Sequence, residues 1–146
     1  HRDLHSFPTR RSSDLQSLKS LSAMLGSGDS QTPILLVNGL LWQFRRLLSI
    51  AEELSAGGSE SEAFSKANVQ GKPSPIRKPK DRTTYHDAVC LFDLASVRLI
   101  ITALSEADIQ VKEASNELTP LLLERLLYRI IKGKGKALHQ AAFASF

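Results

Sequence analysis

Apolar residues in this chain recur at intervals of three and four. No stretch alternates strictly between apolar and polar positions, so the pattern predicts helices and no sheet. The strongest signal covers Pro33–Ser55. There Ile34, Val37, Leu41, Phe44, Leu48 and Ala51 form a stripe, widened by Leu40, Leu47 and Leu54, while Asn38, Arg45, Ser49 and Glu52 lie elsewhere. Thr32 is the expected N-cap and Pro33 the first helical residue, where its missing N–H costs little. Gly57 and Gly58 end the helix. Trp42, near Phe44 on the same helix, reads as core or helix interface.

A second long helix is expected over residues 94–114, with Val97, Ile100, Leu104, Ala107, Val111 and Ala114 on one face and Asp93 as its cap. A third follows over residues 121–132, its stripe being Leu123, Leu126, Leu127 and Ile130, with Thr119 as N-cap and Pro120 opening the first turn. Three shorter helices complete the set. Residues 16–25 place Leu18, Leu21, Met24 and Leu25 at helical spacing. Ser59 and Glu62 have capping-box spacing ahead of a helix to about residue 68. A helix from Thr83 or Thr84 carries Tyr85, Ala88, Val89 and Phe92. About six helices without a sheet make an all-α irregular bundle.

Two segments fall outside this pattern. Residues 1–15, HRDLHSFPTRRSSDL, are polar and aperiodic, and resemble the in-frame translation of a short-read sequencing adapter. They are expected to be non-native and disordered, so His1, Asp3, His5 and Ser6 are set aside as a catalytic or metal cluster. Residues 70–82, QGKPSPIRKPKDR, hold three prolines, five basic residues and only Ile76 to bury, which suits an extended, solvated, flexible connector. The expected organisation is therefore a helical domain over residues 16–132 and a tail over residues 133–146.

A chain of 146 residues suits one core, and its 42% hydrophobic and 23% charged residues are ordinary for a globular domain. The net charge of +4 is too small to select a partner. A single cysteine, Cys90, excludes an internal disulfide and a cysteine-rich zinc site, and fits a reducing cytoplasm. The longest apolar window, residues 34–48, is interrupted by Asn38, Gln43, Arg45 and Arg46, so no membrane span is expected.

Candidate chemistry is thin. Gly133-Lys134-Gly135-Lys136 lacks the spacing and the strand-to-helix context of a P-loop, and reads as a basic helix end. His86 and Cys90 stand at i and i+4, yet a Cys–His nucleophile needs a cleft and an orienting group. Lys72, Arg77, Lys78, Lys80 and Arg82 have the charge to touch phosphates, but no aromatic residue is interleaved for base stacking, so a solvated linker is the simpler reading. Asp108 and Lys112 form a favourable i, i+4 pair. No catalytic residue, cofactor site or metal ligand is assigned.

Two segments carry a family resemblance. PILLVNGLLWQFRRLLSIAEEL resembles a helix of the C-terminal domain of the bacterial DNA polymerase III delta subunit, with Gln43, Phe44, Arg45, Leu47 and Leu48 on the family pattern. FDLASVRLIITALSEADIQVKEASNELTPLLLERLLYRII is similar to that family's last two helices, with Leu104, Ala107, Asp108 and Lys112 on its Leu-x-x-Ala-Asp-x-x-x-Lys stretch. The resemblance covers roughly residues 17–131 and is poorest at the basic connector.

It implies a clamp-loader subunit in DNA replication, here its helical collar domain without the ATPase-like and clamp-wrenching N-terminal regions. The whole subunit binds and opens the sliding clamp, while the collar joins the other loader subunits, gamma/tau and delta prime, with DNA held in the assembled complex. No cofactor, membrane or catalytic activity is implied for this domain. Any DNA-directed DNA polymerase, transferase or nucleotidyltransferase label belongs to the holoenzyme. Leu36, Leu40, Arg45, Arg46 and Leu47 are the expected partner surface. The alternative is a helical nucleic-acid-binding or regulatory module using the basic connector.

Overall fold

The computed structural model describes residues 9–25, 32–115 and 117–134. Over these the chain forms six helices, α1 (Thr9–Leu25), α2 (Pro33–Ser55), α3 (Glu60–Ser65), α4 (Pro79–Leu91), α5 (Leu94–Glu113) and α6 (Thr119–Gly133). A minimal hairpin, β1 (Asn68–Val69) and β2 (Lys72–Pro73), separates α3 from α4. The fold is all-α, an irregular bundle, as the periodicity predicts.

The central helix α2 is set by its sequence at both ends. Thr32 accepts from the Leu35 N–H through its hydroxyl at 3.3 Å, Pro33 opens the first turn, and Gly57 leaves the helix at φ +100°. Its stripe buries Val37, Leu40, Leu41, Phe44, Leu47, Ile50 and Ala51, whereas Ile34 is exposed. Against it lies α5, started by Asp93, whose carboxylate accepts from the Ser96 N–H at 2.8 Å. That helix buries Val97, Ile100, Ala103, Leu104, Ala107 and Val111. Phe44 meets Phe92 edge-on at 5.5 Å between ring centroids. Among the described residues α2 touches all the other helices, so it is the axis of the core. By length and composition alone α2 is apolar enough to cross a bilayer, but here its stripe is covered by the other helices of the bundle.

Direction follows from two contacts. Arg98, early in α5, pairs with Glu52, late in α2, at 3.6 Å, so the two helices run antiparallel. Lys134, at the end of α6, holds its ammonium 5.4 Å from the Phe92 ring centroid just before α5, so α6 reverses direction again. The starts of α2 and α6 and the end of α5 therefore share one end of the bundle.

Several expectations need correction. Helix α1 begins at Thr9, inside the adapter-like stretch, so residues 9–15 are helical; residues 1–8 lie outside the described residues. Its inner face is Ser17, Ser20 and Met24, while Leu18 is exposed; the side chains of Leu21 and Leu25 lie outside the description. Small hydroxyls let α1 approach closely, and Ser17 accepts from the Lys134 ammonium at 2.6 Å.

The connector at residues 70–82 holds a strand and the start of a helix. Gln70 and Gly71 turn the hairpin with φ of +52° and +84°, as a two-residue loop of the primed type requires. Ile76 is buried, and its N–H donates to the Phe64 carbonyl at 3.0 Å. Pro79 starts α4 four residues before Thr83, and the Thr83 hydroxyl donates back to the Pro79 carbonyl at 3.2 Å. Thr119 is no cap for α6. Leu118 holds that place, and the Thr119 hydroxyl donates to the Ser115 carbonyl at 3.0 Å. The short helix after Ser59 carries the full capping box but stops at Ser65.

Candidate functional site

The residues expected to meet a partner along α2 divide into two groups. Leu40 and Leu47 have 0% exposure and belong to the core, so they offer no surface. Their positions sit three residues from Val37 and Phe44, and the bundle wraps α2 more widely than one stripe because so many elements pack on it. Leu36 and Arg45 are half-buried and reach the surface.

Arg46 is engaged within the chain. Its Nε donates to the Ser74 carbonyl at 2.9 Å and a terminal nitrogen donates to the Pro75 carbonyl at 2.8 Å. The guanidinium carbon also lies 5.2 Å from the ring centroids of both Trp42 and Tyr85. Two carbonyls that the hairpin leaves unpaired are thus satisfied by one planar cation. Ser49 adds a second tie, accepting from the Asn68 N–H at 3.0 Å while donating to the Arg46 carbonyl at 2.8 Å. Beneath Arg46, the buried Tyr85 hydroxyl donates to the Gln43 side-chain carbonyl. Burial pushes the Tyr85 phenol up to about 12, with the Arg46 cation opposing the shift.

This gives the family-pattern residue Gln43 a structural role and makes Arg46 a clamp on the connector. No sequence signal joins Arg46 to residues 28 positions away. The other pattern positions are interior or local. Phe44, Leu104 and Ala107 are in the core, and Lys112 pairs with Asp108 Oδ2 at 3.1 Å.

A groove of about 790 Å³ lies between α1 and α4, lined by Lys19, Ser20, Lys80, Asp87, Cys90 and Leu91 among others. His86 is not part of its lining. His86 Nδ1 meets Glu60 Oε2 on α3 at 2.8 Å, and that carboxylate holds the imidazole pKa above its ordinary value. Cys90 is exposed in the groove, so the structure does not bring His86 and Cys90 together in one cleft. Within the Gly-Lys stretch, Lys134 takes the left-handed cap position of α6, and partial burial lowers its ammonium pKa. Gly135 and Lys136 lie outside the described residues. Among the described residues no group of three or more His, Cys, Asp or Glu side chains is placed to hold a metal ion.

The surface feature the sequence did not flag is apolar. Ile34, Leu35, Ile109, Leu118 and Leu121 are 39–58% exposed, and all lie at the end of the bundle shared by the starts of α2 and α6 and the end of α5. Neither a family model, nor a curated protein, nor a solved structure matches this chain.

Proposed function

We propose that the chain is an assembly domain, the helical collar domain of a DNA polymerase III delta subunit, acting in clamp loading and without catalytic activity of its own. The observation that carries this reading is the exposed apolar end of the bundle at Ile34, Leu35, Ile109, Leu118 and Leu121. Isolated exposed leucines are ordinary on any surface, but five large aliphatic side chains at one end suit a protein interface. The two segments with the family resemblance also support it, since they fold as α2 and as α5 with α6 and pack on each other.

On this reading the partners are the collar domains of gamma/tau and delta prime. The sliding clamp and DNA are engaged by the whole subunit and the assembled loader, in the cytoplasm. Polymerase chemistry then belongs to a different chain of the holoenzyme. The contact surface also moves from the α2 stripe to the bundle end, because Leu40 and Leu47 are occupied by the core.

The test is sedimentation velocity of the purified chain mixed with the cognate gamma/tau and delta prime collar domains at tens of micromolar, where modest interfaces register. A species heavier than any component is expected. A folded chain that stays monomeric in that mixture contradicts the proposal.

A further inference from the structure

Residues 70–82 carry five cations and no aromatic ring, so base stacking there needs a ring from another element. The fold supplies the ring from elsewhere. Trp42, on α2, is 42% exposed, and Arg46 bridges it to the connector by lying over the indole while bonding the Ser74 and Pro75 carbonyls. The indole therefore stands beside the hairpin whose strand β2 begins with Lys72, and beside the loop leading to Arg77 and Lys78.

Lys72, Arg77, Lys78, Lys80 and Arg82 are all exposed, and none forms an ion pair among the described residues. Within residues 70–82 they are opposed only by Asp81, which is half-buried. The N-terminus of α4 opens into the same basic segment, and Lys78 at its cap position makes no side-chain bond to the first turn. Amides at a helix start favour anions. The arrangement is held by the buried Tyr85, by Arg46 and by Ser49, so the ring and the cations stay together without a partner to order them.

We propose that Trp42, the β1–β2 hairpin and the start of α4 form a binding surface for single-stranded nucleic acid. The cations track consecutive phosphates and release their counterions, while an unpaired base stacks on the exposed indole. A duplex offers the same phosphates but no free base face, so the ring selects for single strands. This surface uses none of the five aliphatic residues at the bundle end, so each proposal is tested by its own substitutions.

Trp42 is the sole tryptophan, so its fluorescence in the full chain reports stacking directly. Titration with a short oligothymidylate is expected to quench it saturably, with affinity falling steeply between roughly 50 and 200 mM salt. Trp42→Ala should weaken binding about tenfold, measured by anisotropy of the labelled strand, while Trp42→Phe keeps a stackable ring and stays within a few-fold. Replacing Arg77 and Lys78 together by Ser should lower the slope of log affinity against log salt by about 1.4, that of two lost single-strand phosphate contacts. Thermal melts verify that each variant is folded, and the quench of the unaltered chain decides the matter even if a variant is not. Absence of quenching at tens of micromolar oligothymidylate in low salt overturns the proposal. So does equal quenching by a duplex of the same length, or binding that ignores both the Trp42→Ala and the Arg77, Lys78 substitutions.

Discussion

Helices α2 and α1 run for 23 and 17 residues, yet the described residues they bury differ in kind, wholly apolar in the first and mostly hydroxyl in the second. The first carries a cap, a proline at its first turn and an apolar stripe wide enough to meet every neighbouring helix. The second presents Ser17, Ser20 and Met24 inward and leaves Leu15 and Leu18 in solvent. One is helical because its burial demands a particular face. The other is helical with Leu15 and Leu18 turned to solvent, and polar links join it to the end of α6, through Asp14 to Lys132 and through Ser17 to Lys134. Among the described residues of α1, Met24 alone brings a buried apolar side chain to the core.

That contrast is sharpest in the response to truncating side chains. Phe44→Ala and Leu104→Ala should each cost about 2–5 kcal/mol in denaturant unfolding, because both lie at 0% exposure between α2 and α5. Leu18→Ala on α1 should stay within about 0.5 kcal/mol. If the two classes of substitution cost alike, the division between a specifying helix and an accessory one fails.

Arg46→Ala comes next. It strips the partner from two connector carbonyls, so a loss of about 1–3 kcal/mol is expected. Amide exchange should speed up at Ser74 and Ile76 and remain unchanged in the middle of α5. Uniform acceleration would show that Arg46 supports the whole core and not the connector.

Deleting residues 1–15 should cost less than about 1 kcal/mol, since what is lost among the described residues is the first part of α1, from Thr9, and a surface ion pair between Asp14 and Lys132. A larger loss would promote α1 to a structural element.

The smallest effect concerns the exposed link between α3 and α4. Glu60 raises the His86 pKa in the folded protein above its ordinary 6.5. The stabilisation is therefore complete below that value and disappears as pH rises through the raised pKa. The melting-temperature difference between the unaltered chain and His86→Ala should be present at about pH 5 and absent at about pH 8. A difference that grows with pH would reverse the assigned sign.

Much of the helical scaffold was legible because its signals are local. Thr32 before Pro33, Ser59 with Glu62, and Asp93 before the Val97–Ile100–Leu104 stripe each act within a turn or two, and each appears at its expected place. What escaped depends on distant partners. Gly71 alone hints at a turn, since glutamine at positive φ is no turn signal, and the strands are held by Ser49 and Arg46 from α2. Thr119 is no cap because the helix already includes it, with Leu118 at the cap position and the Thr119 hydroxyl donating back to the Ser115 carbonyl. The candidate surface was misplaced for the same reason. A stripe of leucines shows that a helix is buried, whereas how many neighbours surround it decides whether Leu40 and Leu47 face the core or a partner.

The assembly reading rests on the apolar end of the bundle, and a double substitution there tests it most directly. Leu35→Lys with Leu121→Lys alters two exposed positions without touching the core, so the melting temperature should hold within the range of ordinary surface changes. Sedimentation velocity with the gamma/tau and delta prime collar domains should show the complex formed by the unaltered chain and its loss in the double variant. A complex that survives both charges undiminished would contradict the placement of the interface at this end of the bundle.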